Sequence, residues 1–149
     1  MMKLDPPDTR EIDYSQTKKN VAKWFDTEYS KYKRLANLPL LPNNALSLAP
    51  SRGTAHANSV EDRTVTRANA KQVLEFIDAI LDMLDNRYKT VIKSRYIQRL
   101  SVWNTCDLLG VERAQVSVYD RMGCAEFAQT LDMSAGTQLT AYKGEALNV

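Results

Sequence analysis

Residues 101–128 read SVWNTCDLLGVERAQVSVYDRMGCAEFA, and a glycine followed by a valine interrupts an otherwise continuous helical pattern. Ser101 belongs to the residue types that cap helix N-termini. Gly110 can adopt the left-handed conformation that ends a helix, and Val111 can then turn its side chain back into the core. The stretch therefore predicts two helices joined by a tight turn rather than one long helix.

The residues of this hairpin match the pattern of a helix-turn-helix, in which the second helix enters the major groove of DNA. The small side chain of Cys106 stands where the helices must pack closely, while Val111 and Val116 supply the apolar positions after the glycine. Five outward positions on the second helix are predicted to contact base edges, namely Arg113, Gln115, Ser117, Val118 and Arg121.

The charge around the hairpin agrees with a nucleic-acid partner, although the whole chain carries a formal net charge of only +2. Residues 85–121 hold seven Lys or Arg and four acids, a local net charge of +3. Lys93, Arg95 and Arg99 are predicted to contact phosphates of double-stranded DNA. Such binding weakens steeply as the salt concentration rises.

Composition divides the chain into five segments. A linker is predicted where three prolines interrupt both helical and strand periods, and polar ends are predicted to be loose. The segments are a flexible tail at 1–14, a basic amphipathic helix within 15–37, a linker at 38–60, a helix-turn-helix domain at 61–131 and a flexible tail at 132–149.

The N-terminal helix is predicted over residues 17–36 because Val21, Phe25, Tyr29 and Ala36 recur at helical spacing. It carries six basic residues and two acidic ones. Two interpretations stay open: a solvated basic face, or a helix that follows phosphates or binds a partner.

Two further helices are predicted before the hairpin. The first spans about residues 62–84, with Phe76 and Met83 widening its apolar stripe, and Asp85 or Asn86 caps the second. The main members of the first stripe are Val73, Leu74, Ile77, Ile80, Leu81 and Leu84. No convincing strand pattern appears, so the predicted fold class is all-α.

Several classes of function are disfavoured by composition. The single histidine, His56, lies in the linker, and no Gly-rich phosphate loop or convergent carboxylate pair is present, so we expect a protein that is not an enzyme and needs no cofactor. The two cysteines lack zinc-site spacing. No run approaches the roughly 18 apolar residues of a membrane span, so we expect a cytoplasmic protein with no membrane partner.

Four single residues carry more specific expectations. Cys106 and Cys124 are expected to be buried free thiols, and Trp103 is expected to pack in the core or at an interface. Gly123 interrupts the second helix of the hairpin at a cost of about 1 kcal/mol relative to alanine. Close packing against Val91 or Ile92 would explain it.

The stretch YKTVIKSRYIQRLSVWNTCDLLGVERAQVSVYDRMGCAEFA, residues 88–128, resembles region 4 of sigma factors and, more closely, ArpU-type regulators encoded by phages of Gram-positive bacteria. The N-terminal YKRLA at 32–36 and the CAEFA run at 124–128 extend the resemblance over about residues 15–131. The resemblance implies transcriptional control of phage late genes, for packaging and lysis, in the cytoplasm of a bacterial host. It also implies RNA polymerase as a partner.

Three hypotheses therefore stay open at the level of sequence. In the first, the chain regulates transcription, and specificity comes from a homodimer on two half-sites or from a partner such as RNA polymerase, because one helix reads only a few base pairs. In the second, it is a DNA-binding small subunit of a phage packaging machine. In the third, it is a helical protein-interaction module that does not bind DNA.

Overall fold

Helices account for nearly all regular structure in the computed structural model, which describes residues 10–39 and 54–144 and omits the side chains of 54–61 and 63. The predicted all-α class is confirmed. Among the described residues the only β pairing is an isolated antiparallel bridge between Ile12 and Tyr142. The α-helices are α1 (Tyr14–Trp24), α2 (Ser30–Ala36), α3 (Thr54–Met83), α4 (Asn86–Ile92), α5 (Val102–Leu109) and α6 (Arg113–Ala135).

The N-terminal helical region begins earlier than its apolar spacing predicts and is not uniformly α-helical. Asp13 accepts a hydrogen bond from the amide of Gln16 at 3.0 Å, so α1 starts at Tyr14 rather than near Thr17. A π-helical segment, Phe25–Tyr29, separates α1 from α2. Ser30 stabilises it by donating its hydroxyl to the carbonyl of Phe25 at 2.9 Å.

Contacts divide the chain into two compact units, and the division differs from the predicted domains. Of the described residues, the first unit contains 10–23 and 82–144, and the second contains 24–39 and 54–81. The beginning of the N-terminal helix therefore belongs to the same unit as the hairpin, rather than to a separate module. Positions 40–53 of the predicted linker lie outside the described residues, as do 1–9, 145–149 and the His56 side chain.

The second unit contains α2, the π-helical segment before it and most of α3. Phe25 and Ala36 are buried, and the Arg67 side chain donates to the carbonyl of Ala36 at 3.2 Å. Burial, together with the nearby Asp78 carboxylate, raises the pKa of Tyr29. The aromatic rings of Phe25 and Tyr29 lie 5.2 Å apart, so the segment is held by packing as well as by its own hydrogen bonds.

The predicted apolar stripe of α3 is confirmed at its centre, but the prediction that two further residues widen it is wrong. Ile77, Ile80 and Leu81 are buried, whereas Phe76 and Met83 are exposed and do not widen the buried face. The helix begins at Thr54 instead of near residue 62, within the range predicted to be linker. In the described part of the chain, no helix combines the length and apolar character needed to cross a membrane.

The first unit is built around α4, α5 and α6, all three of which contact one another. Asp85 caps α4 by accepting from the amide of Arg87 at 2.9 Å, as one of the two predicted alternatives. A π-helical segment, Lys93–Ile97, then leads toward α5. The fully buried side chains of this unit include Val21, Val91, Ile92, Cys124, Phe127 and Leu131.

Gly123 of α6 packs against Tyr88 of α4. A Cβ atom at this position would lie 2.9 Å from the Cβ of Tyr88 and 3.3 Å from its Cα. The close packing predicted at Gly123 therefore exists, but its nearest neighbour is Tyr88 rather than Val91 or Ile92. Any side chain at this position would push the two helices apart. This close packing explains why α6 contains a glycine here, although glycine has a low helix propensity.

The chain after α6 is hydrogen-bonded back onto the first unit, in contrast to the flexible tail expected after Leu131. Asp132 accepts from the Thr137 hydroxyl at 2.6 Å and from the amides of Leu139 and Thr140, both at 2.9 Å. These bonds hold the pKa of Asp132 below its usual range, although burial opposes them. Asn20 on α1 donates its side-chain amide to the carbonyl of Leu139 at 3.0 Å.

The described part of the N-terminal tail pairs with the same segment. The amide of Asp13 donates to the carbonyl of Ala141 at 2.9 Å, and the amide of Lys143 donates to the carbonyl of Glu11 at 2.7 Å. Both ends of the chain, where they are described, thus form part of the first unit and fix α1 to it.

Candidate nucleic-acid interface

The predicted hairpin is present, with both of its proposed end signals. Ser101 caps α5 by accepting from the amide of Asn104 at 3.1 Å. Gly110 has a φ of 65° and donates its amide to the carbonyl of Cys106 at 2.8 Å, so α5 ends in the left-handed conformation expected. Glu112 precedes α6 without a side-chain capping bond. Cys106 and Cys124 are buried free thiols, as predicted.

The second helix of the hairpin, α6, has one buried face and one exposed face. Val116, Cys124 and Phe127 are buried, which fixes the orientation of the helix. The side chains predicted to contact bases all lie on exposed positions of its first three turns: Arg113, Gln115, Ser117, Val118 and Arg121. Their contact with base edges stays a prediction.

The predicted phosphate contacts differ in how freely they reach solvent. Lys93 and Arg95 are half-buried, and Arg95 donates from Nη1 to the carbonyl of Leu100 at 2.6 Å. Arg99 is exposed and has a φ of 56°, a backbone conformation that residues other than glycine rarely adopt. The amide of Leu100 donates to the carbonyl of Ser94 at 2.7 Å and closes this turn.

The left-handed conformation of Arg99 makes a stability difference testable. We expect the free energy of unfolding of Arg99→Gly to be about 1 kcal/mol higher than that of Arg99→Ala. Glycine adopts positive φ without the steric cost that any Cβ carries. Both variants lose the same guanidinium group, so their comparison isolates the backbone. Urea unfolding of each measures the difference, and an alanine variant as stable as the glycine variant would contradict it.

Three of the predicted residues come together in one place. Arg95, Arg113 and Ser117 line a cavity of about 170 Å³, and the remaining predicted contacts do not. Lys18 of α1 and the carboxylate of Asp120 also line it, while Val102 and Val116 form its apolar wall. We call this site the basic cavity. The sequence did not indicate that α1 would contribute a cation to it.

A buried carboxylate joins α1 to α6 at the edge of the basic cavity. The Asp120 side chain is 7% exposed and lies 3.3 Å from the Lys18 ammonium, which is 38% exposed. Tyr96 donates its hydroxyl to Asp120 at 2.6 Å, and the Cys124 thiol donates to the same oxygen at 3.3 Å. One negative charge thus has three donors, which compensates for its burial.

Tyr96 and Cys124, which both contact Asp120, stay protonated at neutral pH. Burial raises the pKa of Tyr96, and its electrostatic interactions with Cys124 and Asp120 act in the same direction. Burial also raises the pKa of the Cys124 thiol, with Asp120 as the next cause. Sequence reasoning did not identify this cluster, although Val116, Asp120 and Cys124 recur every four residues and so share one helical face.

Trp103 is exposed, so packing in the core was the wrong expectation for it. Its side chain on α5 is 67% exposed, and the guanidinium carbon of Arg113 lies 6.0 Å from the ring centroid. This distance is at the outer limit of a cation–π contact. Leu108, on the same helix, is 59% exposed. The alternative expectation, that Trp103 packs at an interface, stays a prediction.

The comparison with protein families covers just over half of the chain. Residues 54–128 match the family described as "Protein of unknown function (DUF1492)", a range that extends from α3 into α6 and includes the whole hairpin turn. No functionally curated protein and no solved structure matches the chain. On the extent of the family match, the chain belongs to the DUF1492 family.

Proposed function

We propose that this protein is a sequence-specific, non-enzymatic transcriptional regulator that binds double-stranded DNA through α5 and α6. The observation that carries the proposal is the division of α6 into a buried face and an exposed polar face directly after the Gly110 turn. A recognition helix needs this division, because one face must hold the helix on its support while the other reaches base edges.

The polar groups on the exposed face suit the major groove. Gln115 can bond adenine through its amide, and Arg121 can bond guanine through its guanidinium. Val118 is 39% exposed and can contact a thymine methyl group. Lys93 and Arg99 lie before α5, where contacts to phosphates would set the position of the hairpin on the duplex.

The resemblance to ArpU-type regulators and to sigma region 4 supports a more specific role, the activation of phage late genes for packaging and lysis in the bacterial cytoplasm. One hairpin reads too few base pairs for a genome, so the regulator needs a homodimer or RNA polymerase beside it. The exposure of Trp103 and Leu108 supports a protein partner on α5. The same exposure is what a protein-interaction module without DNA binding would need.

Binding to genomic fragments tests the regulator. We expect Gln115→Ala to weaken the preferred site by about 1–3 kcal/mol and random DNA very little, because its contact is to a base. Lys93→Ala should weaken all sequences alike and reduce the slope of log affinity against log salt by about 0.9. Electrophoretic mobility shifts at several salt concentrations measure both effects.

Matched controls exist on α3, where Gln72 and Lys71 are exposed. Gln72→Ala and Lys71→Ala should leave affinity and specificity unchanged. If the wild-type protein binds every fragment equally, it is not a specific regulator. If it binds no fragment, the protein-interaction module becomes the better proposal.

A further inference from the structure

Three cations from three different elements reach the basic cavity. Lys18 comes from α1, Arg95 from the π-helical segment after α4, and Arg113 from the first position of α6. The hydroxyl of Ser117 adds a neutral donor one turn further along α6. Cations brought together from separate parts of a fold repel one another, and an anion between them removes that repulsion.

We propose that the basic cavity binds a single phosphate group, and that Lys18, Arg95, Arg113 and Ser117 donate to its oxygens. The source of this phosphate is the DNA backbone, an identification that rests on the proposed function. The alternative source with the same chemistry is free inorganic phosphate, and the two are separated by the experiment below.

The size of the cavity agrees with a small oxyanion. Its volume of about 170 Å³ is well below the roughly 300–1,000 Å³ of sites that enclose a drug-sized molecule. Its lining combines polar and apolar atoms, and Val102 and Val116 are the two apolar residues among the seven that line it. A phosphate group of a polymer needs no more room, because the rest of the backbone stays outside.

The carboxylate of Asp120 does not prevent anion binding. It accepts from Tyr96 at 2.6 Å and lies 3.3 Å from Lys18, so donors already oppose its charge. Three cations and one carboxylate leave the lining groups with a net charge of +2. An ammonium has three N–H donors and a guanidinium has five, so Lys18 and Arg95 retain donors beyond those used within the protein.

The Arg95 side chain is positioned before any ligand arrives. It is half-buried, and its bond to the carbonyl of Leu100 fixes the guanidinium group at 2.6 Å. A donor that is already ordered loses less entropy on binding than a free surface side chain. This distinguishes Arg95 from Lys19 of α1, which is exposed.

With a phosphate in the basic cavity, Arg113 and α1 take roles that differ from those expected from sequence. Arg113 becomes a phosphate contact rather than the base contact expected from sequence, which leaves base reading to residues such as Gln115 and Arg121. The N-terminal helix becomes part of the DNA-binding surface through Lys18. Of the two interpretations of its basic residues, contact with phosphates then applies to Lys18.

The test titrates the full chain with inorganic phosphate and, separately, with duplex DNA. Backbone amide NMR should show saturable shifts around Lys18, Arg95, Arg113 and Ser117 as inorganic phosphate is added. Arg113→Gln should weaken phosphate binding about tenfold or more, the loss expected for one charge-assisted hydrogen bond. Arg34→Gln, which changes an exposed arginine of α2 outside the cavity, should leave it unchanged.

Two further variants guard against loss of folding. Lys18→Gln keeps a donor for Asp120 while removing the charge, and it should also weaken phosphate binding about tenfold. Its neighbour Lys19→Gln should not. In the DNA arm, Arg113→Gln should weaken preferred and random duplexes alike and reduce the salt slope by about 0.9, whereas a base contact would lower the preference.

The outcomes separate the inference from the function on which it rests. If the protein binds DNA but inorganic phosphate causes shifts at all exposed lysines, or if Arg113→Gln and Arg34→Gln weaken phosphate binding equally, the phosphate site in the basic cavity is overturned and the regulator still stands. Saturable phosphate binding at the cavity without any DNA binding supports the phosphate site, overturns the DNA backbone as its source and also overturns the regulator. Competition between duplex DNA and inorganic phosphate at the cavity supports both.

Discussion

Asp120→Ala is expected to lower the free energy of unfolding by about 3 kcal/mol. Removing one partner from a buried ion pair costs about 3–5 kcal/mol because the remaining groups lose their compensation. Here the lower end applies, since Lys18 is 38% exposed and can turn toward water, whereas Tyr96 loses the acceptor of its 2.6 Å hydrogen bond. Urea unfolding at neutral pH gives the difference.

Two comparison variants make this result specific to the cluster. Asp107→Ala removes an exposed carboxylate from α5 and should change stability by no more than about 0.5 kcal/mol. Tyr96→Phe combined with Asp120→Ala should cost less than the sum of the single changes, because the two residues share one hydrogen bond. Equal stability of Asp120→Ala and Asp107→Ala would show that the buried cluster contributes nothing.

The hairpin could be predicted from sequence because its signals are local. A capping serine, a glycine that ends the helix and an apolar residue after it each act within a few residues. Ser101 and Gly110 perform these roles, and the helical period placed the five predicted base contacts on the exposed side of α6. Local backbone chemistry was therefore enough to identify the candidate interface.

Contacts between distant parts of the chain could not be predicted in the same way. Lys18 and Asp120 are 102 positions apart, and nothing in the pattern of either helix identifies the other as its partner. The segment after α6 was expected to be loose because it is small and polar. Its order comes from Asp132, which accepts from two backbone amides and a hydroxyl, so the polar character that suggested disorder supplies the bonds.

The division into units illustrates the same limit. A basic amphipathic helix followed by prolines suggested a separate module, but the hydrogen bonds of Asp13, Thr17 and Asn20 to the segment after α6 place the start of α1 in the first unit. The π-helical segments also escaped prediction, because their apolar residues keep a helical spacing. Only the structure showed that a cation of α1 lies beside the predicted recognition helix.

Gly123→Val is expected to destabilise the protein by about 3 kcal/mol, and Gly123→Ala by about 1–2 kcal/mol. The first added carbon would lie 2.9 Å from the Cβ of Tyr88 and 3.3 Å from its Cα, so α4 and α6 must separate. Overpacking of this kind costs about 1–3 kcal/mol or more. The better helix propensity of alanine returns only about 1 kcal/mol. Urea unfolding should show the highest midpoint for the wild-type protein, a lower one for Gly123→Ala and the lowest for Gly123→Val.

The helix-propensity contribution can be measured separately at Glu126, an exposed position three residues further along α6. Glu126→Ala should be about 1 kcal/mol more stable than Glu126→Gly, because nothing there opposes the preference of a helix for alanine. If contact with Tyr88 is the reason for the glycine, the protein with alanine at position 123 must be less stable than the wild-type protein with glycine. A Gly123→Ala variant that gains as much stability as the Glu126 pair predicts would show that α4 and α6 have room for a side chain. The glycine would then have no packing role in holding α6 against α4.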